Sequence, residues 1–201
     1  MTSPLDDRLE ALLDKIRALE FELLQEMEKK QKQFFYEVDR KRVRFQKEVI
    51  VGHRKLTKKL RFYFKDAAFL NILTAPVIWS CLFPALFMDL VITLYQSVCF
   101  PVYGIPKVNR GDYILLDRGF LSYLNLMERL NCFYCAYFNG VIGYTREIAA
   151  RTEQYWCPIK HARRVKGIHS RYKNFLDYGD AEGYRQDLET VRRNFSDVEK
   201  G

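Results

Sequence analysis

Hydrophobic positions fall into three regimes along this chain. In the first, Leu5, Leu9, Leu12, Ile16, Leu19 and Leu23 recur at spacings of 4, 3, 4, 3 and 4. That is a heptad seam carried on good helix formers. Ser3 precedes Pro4, and Asp6 and Asp7 occupy the first turn, where they favour the helix dipole. The seam loosens after Met27, and Phe34, Val38 and Phe45 continue an apolar stripe. No proline or glycine interrupts Leu5 to Val51. The pattern predicts one helix about 70 Å long, with Gly52 as the first break. Such a helix cannot bury its seam alone. It predicts either a homo-oligomer through Leu5–Leu23 or an arm folded back on its own chain.

In the second regime periodicity gives way to continuous apolarity. From Ala67 to Pro106 the chain runs 40 residues with one charge, Asp89. That is enough to enter a bilayer. Pro76 and Pro84 would kink or break a straight helix, and Pro101 and Pro106 bracket the exit. A division near Phe83-Pro84 gives arms of about 17 and 22 residues, which suits a same-side hairpin or re-entrant loop. The competing geometry is a single span over Phe83 to Pro101. Asp89 is costly in lipid, so it either sits near the headgroups or needs a partner.

In the third regime the helical period returns over Leu121–Leu130 and Glu147–Trp156. Asn139-Gly140 and Gly143 are the expected break between them. Tyr113-Ile-Leu-Leu116 is the best strand-like run. Asp177 to Gly183 reads as a turn, and Tyr184 to Phe195 as a terminal helix. The expected class is all-α and membrane-associated. The expected divisions are a helical arm over 1–66, a membrane hairpin over 67–106 and a cytosolic helical domain over 107–201.

Charge sharpens this picture. The 201 residues hold 33 Lys and Arg against 25 Asp and Glu, a formal +8. Met1 to Glu28 holds eight acids and three bases, whereas Arg40 to Lys65 holds eleven bases and one acid, Glu48. A basic block beside an apolar run suits anionic lipid headgroups, where each Lys or Arg near the surface contributes about 1 kcal/mol. A solvated helix face and a nucleic-acid backbone are the competing readings, in that order. Lys107, Arg110 and Arg118 follow the apolar run, so both flanks are basic and both are expected on the cytoplasmic side. The N-terminus lacks the basic-then-apolar form of a secretory signal. The cysteine count is odd at five. Both features point to a reducing compartment rather than a disulfide framework.

The sharpest chemical motif is C-x2-C at Cys132 and Cys135 with C-x3-H at Cys157 and His161. Three thiolates and an imidazole form a closed tetrahedral set for Zn²⁺, with Fe as the alternative. The site requires a chain break between the pairs. On an unbroken helix Cys135 and Cys157 would lie about 33 Å apart. A dimer could instead bring one chain's Cys132 and Cys135 to the other's Cys157 and His161. Inert packing and a redox pair are the other readings. Glu128, Glu147 and Glu153 are the acid–base candidates, although Glu147 and Arg151 also make an i, i+4 ion pair. A second basic patch, Lys160 to Lys173, suits phosphate groups. The expectation is therefore a membrane-anchored zinc-binding scaffold or regulatory protein. A membrane metalloenzyme or redox protein acting on a lipid-soluble substrate is the alternative, and a nucleic-acid-binding zinc protein comes third.

Overall fold

The computed structural model describes residues 4–34, 36–39, 42–45, 47–59 and 69–198. The fold is mostly helical, as the apolar periodicity implies. It divides into two units, Met1–Lys59 with Phe120–Asn125, and Leu60–Gly119 with Leu126–Gly201.

In the first unit, α1 spans Pro4–Gln33. Glu26–Lys29 and Glu28–Lys32 ion pairs support its last turns. The helix does not continue to Val51. Strands β1 (Tyr36–Asp39) and β2 (Arg42–Phe45) form an antiparallel hairpin instead. The reason is a change of period. Tyr36-Glu-Val-Asp39 and Arg42-Val-Arg-Phe45 alternate residue by residue, and the register sets Glu37 opposite Arg44 and Asp39 opposite Arg42. Helix α2 (Lys47–Lys55) follows and contains Gly52, which is no break. His53 stands edge-on between Phe45 and Tyr123 at 5.6 and 5.2 Å. Thr57 Oγ1 donates to the Ser122 carbonyl at 3.1 Å, tying 120–125 to this unit. Part of the basic block, 40–41 and 60–65, lies outside the described residues.

The second unit is built on two long helices. Helix α3 (Phe69–Ser80) and helix α4 (Leu82–Tyr103) form one apolar run broken at Cys81. Cys81 keeps helical angles, φ −64° and ψ −14°. The break is thus a kink and not a reversal. Pro84, expected at the division, lies in the first turn of α4, where a missing N–H costs little. The chain therefore does not turn back at Phe83-Pro84. Helix α4 ends at Gly104, whose φ of +70° a side chain would disfavour. The Ile105 N–H closes the end by donating to the Phe100 carbonyl at 2.9 Å.

Helix α5 runs unbroken over Leu126–Trp156. The expected break at Asn139-Gly140 and Gly143 is absent, and the expected strand over Tyr113–Leu116 is not formed. Both discrepancies have one cause. Between α4 and α5 the chain returns as a strap, with short 3-10 turns at Arg110–Asp112 and Asp117–Phe120. The strap presses on α5 at Gly140. A Cβ there would lie 2.8 Å from the Tyr113 carbonyl oxygen and 2.9 Å from Ile114 Cα. The glycines serve close approach, not flexibility. Helix α6 (Ala181–Arg193) is capped by Asp180, whose carboxylate accepts from the Gly183 N–H at 2.8 Å. The core is formed by Phe100, Ile105, Val108, Tyr144, Ile148 and Phe195.

Replacing Gly140 by alanine should force backbone against backbone and destabilise the second unit by about 1–3 kcal/mol. Thermal unfolding of the purified chain in detergent should show the loss. Gly52→Ala, where a Cβ meets open space, should be neutral or slightly stabilising.

Candidate functional site: a polar ladder between parallel helices

Helices α4 and α5 run side by side in the same direction. Trp79 meets Tyr134 at 5.1 Å, Asp89 meets Tyr137, Thr93 meets Tyr144, and Tyr103 stacks on Tyr155 at 5.1 Å. The inward face of α4 carries Ala85, Asp89, Gln96 and Phe100, all buried. The outward face carries Phe83, Phe87, Leu90, Leu94, Val98 and Val102, all exposed. The inward face thus mixes polar and apolar groups while the outward face is largely apolar, unlike the polar outer face of a water-soluble helix.

Asp89 is the first rung. Its two carboxylate oxygens accept from Arg110 Nε at 3.0 Å and Arg110 Nη2 at 2.7 Å, a bidentate pair. The Tyr137 hydroxyl donates to the same carboxylate at 2.8 Å. Two turns on, Gln96 spans the gap to the strap. Its Oε1 accepts from the Val108 N–H at 2.9 Å, and its Nε2 donates to the Val108 carbonyl at 3.2 Å and to the Tyr144 hydroxyl. A side-chain amide here replaces a strand partner, so irregular backbone lies beside an apolar helix without an unpaired group at Val108.

Beside the strap at Val108 lies a cleft of about 680 Å³. Glu147 and Arg151 form one wall. Arg151 Nε donates to Glu147 at 3.0 Å, and its Nη1 donates to the Pro106 and Lys107 carbonyls. Ser170 closes on Glu147 at 2.6 Å. Arg171, only 3% exposed, forms the floor. It bonds Gln154, the Asn194 carbonyl and Asp197, the last at 2.9 Å. Gln154 also ties α5 to the end of α6, donating to the Val191 and Asn194 carbonyls. Burial pushes the Asp197 carboxyl up, but the bond and charge of Arg171 outweigh it, so the group sits below its usual range. Burial, with Glu147 adding to it, pushes the Tyr113 hydroxyl up.

The expected site residues are distributed differently. Cys132 and Cys135 lie near the start of α5, whereas Cys157 and His161 follow its end. With helix throughout, about 33 Å separates Cys135 from Cys157. One chain therefore does not bring the four together. Among the described residues no group of three or more His, Cys, Asp or Glu is placed to hold a metal ion. His161 is exposed and stacks on Tyr172. Of the candidate acids, Glu147 is bound to Arg151 and Ser170, and Glu153 lies 3.1 Å from His169 Nε2. Glu128 is half-buried in the first turn of α5. Sequence reasoning flagged Asp89 but missed Arg110, Gln96 and Arg171. Arg110 stands 21 residues from its partner, and no local periodicity links them.

Arg110→Ala should leave the Asp89 carboxylate with only hydroxyl donors and cost about 2 kcal/mol, a figure reduced for the half-exposed guanidinium. Asp89→Asn with Arg110→Gln should recover part of that loss, and denaturant titration of the four-member cycle checks it. The Asp197 clasp should depend on pH. Its carboxyl is depressed in the folded state, so its contribution is full above the unfolded value of about 3.9 and is lost as pH falls through the lower folded value. Melting temperatures between pH 6 and 2.5 should fall more steeply for the native chain than for Asp197→Asn. No protein-family model, curated protein or solved structure matches this chain.

Proposed function

We propose that this chain is a membrane-anchored scaffold or regulatory protein whose α3–α4 helix lies in the plane of the membrane surface. The supporting observation is the exposed apolar face of that helix. Phe69–Tyr103 is, among the described residues, the one helix long and apolar enough to cross a bilayer, and 6% of its most apolar stretch is buried. A core helix would hide that surface. Phe69, Phe83 and Val102 are each about three-quarters exposed.

Orientation follows from what lies behind the helix. About 30 Å of hydrocarbon would accommodate α4 alone. However, α4 is paired along its length with α5, which exposes Asn139 and Arg146 at the same levels. The strap beside it exposes Asn109 and Arg110. Those groups would be costly in lipid. An in-plane helix keeps them on the aqueous side while its outward face enters the acyl boundary by about 5–10 Å. Lys55, Lys59 and Lys107 are each exposed and could meet anionic headgroups. Basic residues beside the apolar helix suit the anionic leaflet of a cytoplasmic face.

Zinc at Cys132, Cys135, Cys157 and His161 is a separate matter. It requires ligands from two chains, and the membrane reading does not depend on it.

Two measurements test the proposal. Purified protein should float with vesicles containing anionic lipid, and Phe87→Asp with Leu94→Asp should abolish flotation without disturbing the core, since both side chains point away from it. Spin labels placed singly at Leu73, Phe87, Leu94 and Val102 should report one shallow depth. A depth profile rising from both ends to a maximum near Phe87 would show a span instead. A chain that stays soluble and monomeric without detergent, and ignores vesicles, removes the reading altogether.

A further inference from the structure

We infer that α1 is one strand of a parallel, in-register, two-stranded coiled coil, its partner a second copy of this chain. The inference stands apart from the membrane reading. It begins with the helix itself: α1 is continuous from Pro4 to Gln33, about 45 Å. Leu19 and Leu23, at the end of the seam, are 64% and 60% exposed. Among the described residues none covers them.

The heptad register chooses the partner. A step of three from Leu9 to Leu12 and of four from Leu12 to Ile16 places Leu9, Ile16 and Leu23 at a. It places Leu5, Leu12 and Leu19 at d. Leucine at every d position, with β-branched Ile16 at the central a position between Leu9 and Leu23, is compatible with two parallel strands. The charges beside the seam agree. Lys15 falls at g and Glu20 at the following e, the pair that meets between parallel chains. Both are exposed in one chain. A two-fold axis supplies this Lys–Glu pair twice. In an antiparallel arrangement g faces g and e faces e, so Lys15 no longer meets Glu20 and faces a second Lys15 instead. The seam also has an end. The next d and a positions are Glu26 and Lys30, and Glu26 bonds Lys29 of its own helix at 2.6 Å. The coil is therefore three heptads long, and both chains leave it at the same end.

The full chain in detergent micelles tests this. Leu19→Cys, with the five native cysteines replaced by serine, should form a disulfide-linked dimer on mild oxidation, because d meets its own copy in a parallel coil. In the unsubstituted background, Lys15→Glu should weaken dimerisation about tenfold, as two attractive pairs become repulsive. Adding Glu20→Lys should restore it. Sedimentation equilibrium reads both, and circular dichroism confirms that α1 stays helical. A monomer at tens of micromolar overturns the inference. So does cross-linking that appears only when Leu9→Cys and Leu19→Cys chains are mixed, which marks an antiparallel pair. Dimerisation indifferent to the charge reversal overturns it as well.

Discussion

The carboxylate of Asp89 is the constraint on which the second unit depends. It sits mid-way along a helix whose outward neighbours are all apolar, so it must find its partners inward. Tyr137 supplies one from α5, but a phenol alone does not balance a charge. The balancing guanidinium comes from Arg110, and this fixes where the strap lies. Once Arg110 is at Asp89, Val108 is at Gln96, and Tyr113 and Ile114 reach α5 where Gly140 leaves room. The order of contacts along the strap is thus the reverse of that along α4, which is what a returning chain requires.

That return is forced by geometry. Two consecutive helices that pack in parallel need a connection as long as the first helix. Helix α4 is about 33 Å long, and an extended chain covers that distance in about ten residues. The 22 residues between Tyr103 and Leu126 therefore leave a surplus, taken up by two 3-10 turns and by the segment 120–125 that joins the other unit. A strap lying in a groove cannot send its backbone groups to water. Gln96 answers part of that demand and Arg151 another part, by binding the carbonyls of Pro106 and Lys107. Glu147, an acid–base candidate by sequence, holds Arg151 in this position.

What was legible in the sequence follows from the range of the interactions. Helical content, the apolar run, the start of α1 and the terminal helix α6 depend on neighbours three or four residues apart, and periodicity reports them. The β1–β2 hairpin was locally legible too, through its period of two and its paired charges. It was hidden because the sequence between the two runs, Arg40-Lys41, contains no glycine, proline, asparagine or aspartate, and because a long glycine-free stretch reads as helix. Asp89 was recognised as needing a partner if it lay deep. Arg110 could not be found, because its link to Asp89 passes through a chain reversal that nothing local encodes. The glycines of α5 were misread for a related reason. A glycine in a helix signals either a break or a close neighbour, and the neighbour is the strap, known only once the fold is known.

The cysteine–histidine motif shows how the same ambiguity reaches function. Its spacing fits a zinc site only if the chain folds back between the pairs, and the expected fold lay at Gly140. With Gly140 serving the strap, α5 runs straight and becomes a spacer holding Cys132 and Cys135 at one end and Cys157 and His161 at the other. Helical phase keeps Cys132, Cys135 and Cys157 within about 60° of one another on the α5 surface, at 100° per residue. The sulfurs are therefore separated along the axis, not around it. Any metal that uses both pairs must be shared between chains, and it would then answer to the same variable as the α1 seam, the concentration of the protein. The intrachain ladder carries no such dependence. A metal shared between chains and a ladder closed within each chain are thus distinguishable in principle by dilution alone, without removing a single ligand.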